Sequence, residues 1–235
     1  MSELRVLSYN VLSLRADFGA LTRVVRAVGP DVLVAQEAPR RVRWRAKCAA
    51  FARESGLLYT AGGRTAGGNL LLVAPRVAVD EVAERRIPQP LGDPMRGIVG
   101  ARLRIGADTF AVVGCHLGLR AARRAAEVPK VVALGEELGR GAPTIVAGDL
   151  NEEPTGPSWR AFAEAGYADV RGEDEPTFPA DRPTKRIDAV LPSAGLEVLE
   201  YGVPESAAIR RDLRRASDHL PVLARLRLPN PPAAG

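Results

Sequence analysis

Six strand-sized apolar runs dominate this chain, and five of them run out into polar side chains able to bind metal or move protons. Leu4–Asn10 ends in Asn10, Asp31–Gln36 leads to Glu37, and Thr109–His116 closes on His116. Thr144–Ala147 passes through Gly148 to Asp149 and Asn151, and Asp218-His219 opens the run that continues to Leu228. The sixth, Arg186–Leu191, carries Asp188 inside it. Runs of this length bounded by turn residues read as buried strands. A chain built this way must stack its strands so that the polar ends share an edge.

Helical spacing appears between the runs. Phe18, Leu21, Val24, Val25 and Val28 lie on one helical face, stopped by Gly29-Pro30. Arg41–Ser55 and Arg120–Leu138 also read as helices, the second with Pro129 as an interruption, and a short helix begins near Pro157. Further strands are expected at Leu57–Thr60, Asn69–Ala74, Val77–Ala83 and Leu196–Tyr201. Ile98–Ile105 and Thr109–His116 form a hairpin across Gly106-Ala107-Asp108. Many strands with few helices, and hairpins in each half, suit two packed sheets with helices outside better than one parallel sheet.

No linker or repeat divides the 235 residues, so residues 1–228 are expected to form one domain, followed by a disordered tail, 229–235. No apolar run is long enough to span a membrane. The N-terminus runs directly into a strand without a signal-type segment, which points to the cytoplasm. Cys48 and Cys115 are too few for a disulfide framework and have no metal-type spacing, so both are expected reduced and packed. The net charge is +5, and arginines bunch at 40–45, 120–124, 182–186 and 210–215, each near a polar motif. An electropositive rim suits a phosphate-rich ligand.

Each polar position has a chemical reading. An unpaired carboxylate at Asp188 would be costly in so apolar a strand, so a histidine partner is expected. Glu37, Asp218 and Asn10 offer the oxygen donors that Mg2+ prefers. Two histidines and two scattered cysteines cannot make a typical structural zinc site. Gly148 turns the chain sharply, and alternation then sets Asp149 and Asn151 on the same side. The carboxylate can orient and deprotonate water, while the amide can donate to a phosphoryl oxygen or bind metal.

The ordered set Ser8-Tyr9-Asn10-Val11-Leu12, Gln36-Glu37, Gly114-Cys115-His116-Leu117, Gly148-Asp149-Leu150-Asn151, Arg186-Ile187-Asp188 and Ser217-Asp218-His219-Leu220-Pro221-Val222 resembles the endonuclease/exonuclease/phosphatase superfamily over residues 4 to 228. That group contains DNase I, AP endonucleases, neutral sphingomyelinases and inositol polyphosphate 5-phosphatases. The resemblance implies an α/β fold, a four-layer α/β/β/α sandwich of two mixed sheets. It implies a Mg2+ or Mn2+ site at Asn10, Glu37 and Asp218, and catalytic residues His116, Asp149, Asn151, Asp188 and His219. Asp188 would orient His219, His116 would serve the leaving oxygen, and either Asp149 or His219 would activate the water. Arg41, Asn69, Arg120 and Arg186 are expected to bind substrate.

Members similar to DNase I place a carboxylate beside the leaving-group histidine. Here that stretch, Gly62–Asn69, holds Arg64, Thr65 and Asn69 but no acid. The function implied is metal-dependent phosphodiester hydrolysis by in-line water attack, with nucleic acid as substrate and a monomeric enzyme. The alternatives are a hydrolase of a small phosphorylated metabolite, phospholipid head group or inositol phosphate, and a non-catalytic phosphate-binding module.

Overall fold

The computed structural model describes residues 2–90, 92–170 and 175–229, so the expected tail lies outside the described residues except for Pro229. In chain order the elements are β1 (Glu3–Asn10), α1 (Phe18–Val28), β2 (Val32–Gln36), α2 (Trp44–Ser55), β3 (Leu58–Gly62), β4 (Leu70–Val73), β5 (Ala78–Ile87), β6 (Arg96–Ile105) and β7 (Asp108–His116). There follow α3 (Ala121–Gly139), β8 (Thr144–Asp149), α4 (Pro157–Glu164), β9 (Asp188–Pro192), β10 (Glu197–Gly202), α5 (Arg210–Ala216) and β11 (Val222–Arg227).

One sheet has the order β10-β11-β1-β2-β4-β3, the other β5-β6-β7-β8-β9. Among the described strands only β1–β2 and β7–β8 pair in parallel; the other pairings are antiparallel. Alternation along β1 explains the layering: Leu4 and Val6 point between the sheets, Leu7 and Tyr9 point outward. Between the sheets they meet Val34, Val112 and Val190. The outer face of the first sheet is covered by α1, α2 and α5 through Leu21, Val25, Phe51 and Leu213. That of the second is covered by α3 and α4 through Val131, Leu138 and Phe162. Both faces of the central strands are therefore buried, which is why their sequences read as almost continuous apolar runs. The result is the expected four-layer α/β/β/α sandwich.

Several boundaries differ from the sequence reading. Helix α3 is unbroken through Pro129, which sits on its exposed face, where the carbonyl four residues earlier can be solvated. Val128, Val131, Leu134 and Leu138 hold the helix to the sheet across it. Asp188 opens β9 rather than lying inside a strand, and β11 starts three residues after His219. The basic run at 210–215 is α5, which packs on α1. There Asp212 pairs with Arg23 at 2.8 Å and Arg215 with Asp17 at 2.7 Å. Both cysteines are free and buried. At the rim opposite the polar strand ends, Leu228 N donates to Ser2 O at 3.0 Å and Ser2 N to Asp108 Oδ2 at 3.0 Å. No described helix is long and apolar enough to cross a membrane.

Candidate active site

The two parallel pairs fix where the polar groups go. Asn10 and Gln36 are register partners at the ends of β1 and β2, and His116 and Asp149 are partners at the ends of β7 and β8. Asp188, starting antiparallel β9, is in turn the partner of Asp149. The chain entering β11 passes the end of β1, where Ser8 pairs with Val222, and so delivers His219 to the same edge. Strand β1 faces β8 and β9, while β2 faces β7 and β8, so these ends converge.

Asp149 is the hub. Its Oδ2 accepts from Asn10 Nδ2 at 3.1 Å and lies 3.3 Å from His116 Nε2 and 3.8 Å from His219 Nε2. Its Oδ1 accepts from Asn151 N at 3.0 Å. His219 Nδ1 lies 2.9 Å from Asp188 Oδ2, the histidine partner anticipated for that carboxylate. Around this pair, Thr177 Oγ1 accepts from the backbone N–H groups of Ile187 and Asp188, both at 3.3 Å. The Phe178 ring packs 4.7 Å from that of His219. Ser217 Oγ donates to the Asn10 carbonyl at 2.6 Å and accepts from His219 N at 3.4 Å, tying the Asp218-His219 segment to β1.

Among the described residues the carboxylate beside His116 is that of Asp149, its cross-strand neighbour, rather than one from Gly62–Asn69. Even so, burial pushes His116 down to about 4, against the pull of Asp149 and helped by Arg96, His219 and Arg40. Burial also opposes charge on His219, but Asp188, with Asp149 and Asp218, overcomes it and pushes this histidine up to about 9. Asp149 itself is held above the usual carboxylate range by burial. Two histidines joined to one carboxylate thus sit on opposite sides of neutrality.

Two local readings need correction. Gly148 does not turn the chain: it lies within β8, and a Cβ there would meet the Cys115 carbonyl oxygen at 2.1 Å. The glycine permits close approach of β7 and β8. The turn falls at Asn151 (φ +50°), so strand alternation does not govern its side chain, whose Nδ2 donates to the Leu117 carbonyl at 2.8 Å. Glu37 also takes a left-handed φ of +54°, uncommon for a residue with a side chain and frequent where function fixes the backbone.

Of the three expected metal ligands, Asn10 reaches the hub, and its Oδ1 accepts from Leu12 N at 3.2 Å. Glu37 is half-buried, and among the described residues its carboxylate has no hydrogen bond or ion pair. Asp218 is half-buried, with Oδ1 3.3 Å from Ser217 Oγ. Asp149, Asp188 and His219 also present ligand-type atoms within 4.8 Å of one another, although the hydrogen bond between Asp188 and His219 already engages that pair.

The expected substrate residues divide. Arg41 is exposed, as is Arg120, which pairs with Asp93 at 3.3 Å. Asn69 is fully buried, its Nδ2 donating to the carbonyls of Ala66 and Gly97. Arg186 is buried against Asp169 at 2.6 Å and over the Trp159 ring at 4.9 Å. These last two are held by internal contacts rather than presented to a ligand. Arg41 belongs to a groove of about 1040 Å³ whose cations are Arg15, Arg40, Arg41, Arg43, Lys47 and Arg64, with no acid in its lining. Ser13 N donates to the Glu37 carbonyl at 2.8 Å, so the groove wall is continuous with the segment carrying Glu37. The groove cations from Arg15, Lys47 and Arg64, and the buried Arg96, gave no signal of their own in an arginine-rich sequence.

Residues 7–219 match the family described as Endonuclease/Exonuclease/phosphatase family. The uncharacterized protein YbhP of Escherichia coli K12 is 29% identical over 149 residues, 58% of this chain and 54% of YbhP; the chain thus spans about half the length of the curated relatives it matches. A mannosyl-6-phosphatase of Bacteroides thetaiotaomicron superposes with a TM-score of 0.79 at 21% identity, over 96% of this chain and 100% of that one. TDP2 of D. rerio, complexed with a single-strand DNA product, gives 0.72 at 18% identity, over 97% and 100%. These structural likenesses speak for the fold, and the match over residues 7–219 for descent. The chain belongs to the endonuclease/exonuclease/phosphatase family.

Proposed function

We propose that this protein, a phosphoesterase by family, is a divalent-metal-dependent phosphodiesterase acting on nucleic acid. The observation that carries the substrate class is the six-cation groove continuous with the Glu37 segment. A run of cations without an acid among them suits a chain of phosphates better than one isolated phosphate. A D. rerio neighbour of the same fold was captured with a single-strand DNA product.

The donors at the strand ends fit a hard cation: Glu37 offers a carboxylate without a hydrogen bond or ion pair among the described residues, and Asp218 and Asn10 add oxygens on neighbouring segments. When bound there, Mg2+ or Mn2+ supplies charge neutralisation at the phosphoryl oxygens. Asp188 holds His219 through Nδ1, leaving Nε2 turned toward Asp149. Asp149 Oδ2, where Asn10, His116 and His219 converge, takes the proton of the attacking water. As the water oxygen bonds to phosphorus the leaving P–O bond breaks. His219 donates a hydrogen bond from Nε2 to charge developing on the phosphoryl group. His116, a neutral ring, hydrogen-bonds to the leaving oxygen, which takes its proton from solvent while Asp149 returns its own to solvent. Asn151, fixed by Leu117, borders the same phosphate.

A second reading, a phosphatase for a small phosphorylated metabolite, draws on a pocket of about 100 Å³ beside Arg96 and Arg120, enough for one phosphate. Supercoiled plasmid, a single-stranded oligonucleotide, a chromogenic diester and sugar phosphates, each with Mg2+, Mn2+ or EDTA, separate the two. Polynucleotide cleavage is expected to stop in EDTA and to fall by about 10²–10⁴-fold in His219→Ala and Glu37→Gln. Arg41→Ala with Arg43→Ala should flatten the salt dependence of binding by about one log–log slope unit for each phosphate that is no longer neutralised. Turnover indifferent to EDTA and to both site substitutions would sink the site. Hydrolysis of sugar phosphates without polynucleotide cleavage would sink the nucleic-acid reading.

A further inference from the structure

Two of the basic clusters in the sequence, 182–186 and 210–215, have no part in the groove or in the proposed mechanism. The strand order decides where they lie. At one end of the sandwich β3 packs against β5, and the groove opens there, with Arg64 between β3 and β4 and with Pro94 and Met95 leading into β6. At the other end β9 packs against β11. These two strands run antiparallel to β8 and β1, so the segments entering them lie on the polar rim. The reactive ends of β1, β2, β7 and β8 fall between the two ends of the sandwich.

Both entering segments are joined to the centre. Ala180 N donates to the Asp218 carbonyl and Leu220 N to the Thr177 carbonyl, each at 2.7 Å, and α5 leads directly into Ser217-Asp218-His219. Their exposed cations are Arg182, Lys185, Arg210, Arg211 and Arg214, whose side chains have no hydrogen bond or ion pair among the described residues. The exposed acids beside them are Asp181 and Glu205, so the balance is positive. At the opposite rim Arg76, Arg104 and Arg140 are exposed too, but there Asp31, Asp80 and Glu81 pair with them. Unmatched positive charge thus gathers on both sides of the reactive strand ends.

We propose that the cations on residues 182–185 and on α5 form a second bank for the polynucleotide, so that the strand runs from the groove across the polar rim and is cut at an internal phosphodiester. Each phosphate neutralised by a cation releases counterions, so affinity follows the strand wherever cations accompany it. An enzyme that trims strand ends gains from cations on one side of the cut, because the nucleotide it releases carries no further chain. Cations on both sides serve a strand that continues past the cut. Water adds across one internal P–O bond, leaving a phosphate on one fragment and a hydroxyl on the other. This rests on the nucleic-acid reading of the groove.

The test uses the full chain, Mg2+ and a circular single-stranded DNA, which has no ends, beside a linear oligonucleotide of the same sequence. The circle should be cut, and the early products of the linear strand should be oligonucleotides rather than mononucleotides. Binding is read separately by fluorescence anisotropy in EDTA over a range of salt. Arg182→Ala with Lys185→Ala, and Arg210→Ala with Arg211→Ala and Arg214→Ala, should each lower the log–log salt slope by about one unit for each phosphate no longer neutralised. In each variant kcat/KM should fall at least about tenfold further on the oligonucleotide than on the chromogenic diester, a difference that partial unfolding does not make. A circle left intact while the linear strand is trimmed from its ends overturns the proposal, as does an unchanged slope in either variant. If no polynucleotide is cut in any form, the nucleic-acid reading fails, and the second bank with it.

Discussion

Changing Asp188 to asparagine keeps the shape of a fully buried side chain and removes its charge. The carboxylate lies 2.9 Å from His219 Nδ1 and is the first of the groups holding that ring's charge against burial. A histidine at about 9 rather than at its ordinary 6.5 corresponds to about 3 kcal/mol of differential interaction between its two protonation states. With Asp188 neutral, burial dominates and His219 should return to 6.5 or below. The chain has two histidines, so proton NMR of the metal-free protein in EDTA shows two imidazole signals, each with its own titration. In the wild type one should titrate near 9 and the other near 4. In Asp188→Asn the upper transition should move down by about two pH units or more, with the lower little changed. Stability follows the same sign. A folded value above the unfolded one gives stabilisation that is full below pH 6.5 and lost as pH rises to about 9, and the variant should lack that alkaline slope. A wild-type histidine titrating near 6.5 would refute the reasoning, as would an upper transition that ignores the substitution.

His116 gives the mirror image. Its folded value of about 4 lies below the ordinary one, so the unfolded chain takes up the proton first and stability falls as pH drops from 6.5 toward 4. The melting temperature should decline by on the order of 10 °C across that window, and His116→Gln should remove this contribution; an unchanged slope in the variant contradicts it. Gly148→Ala forces a methyl against the Cys115 carbonyl, so β7 and β8 must separate just where His116 and Asp149 pair. A loss of at least about 1–3 kcal/mol in denaturant unfolding is expected, with turnover falling further than stability alone explains. Wild-type stability and rate in this variant would show that the two strands have slack.

The polar strand ends were legible because burial on both faces keeps a central strand largely apolar until it nears the edge, where polar residues gather. Asn10, Glu37, His116 and Asp149 all stand out for that reason. That Asp188 needs a histidine partner was legible from the cost of an unpaired carboxylate in an apolar run, and the family resemblance named His219. The far end of β5 was not: beyond Ala83 this edge strand runs through half-buried Glu84 and exposed Arg85 and Arg86, and shows no clean alternation. Helix α5 was too short and too basic to show an apolar stripe. The hydrogen bonds that complete the centre join residues far apart in sequence, Asn10 with Asp149 or Ser217 with Asn10, and local pattern carries no trace of them. Arg96 resembles every other arginine until the fold buries it.

The hydrogen bond between Leu228 and Ser2 divides the molecule into a working rim and a handling rim. All the reactive groups lie where β1, β2, β7 and β8 end, while both described chain ends meet where β1 and β7 begin. Tags, surface tethers or fused partners attached there project away from the chemistry. Ser2 and Leu228, in hydrogen-bond contact, are also close enough to be bridged by a short linker. A domain whose described ends lie opposite its polar rim can be immobilised with that rim facing solution.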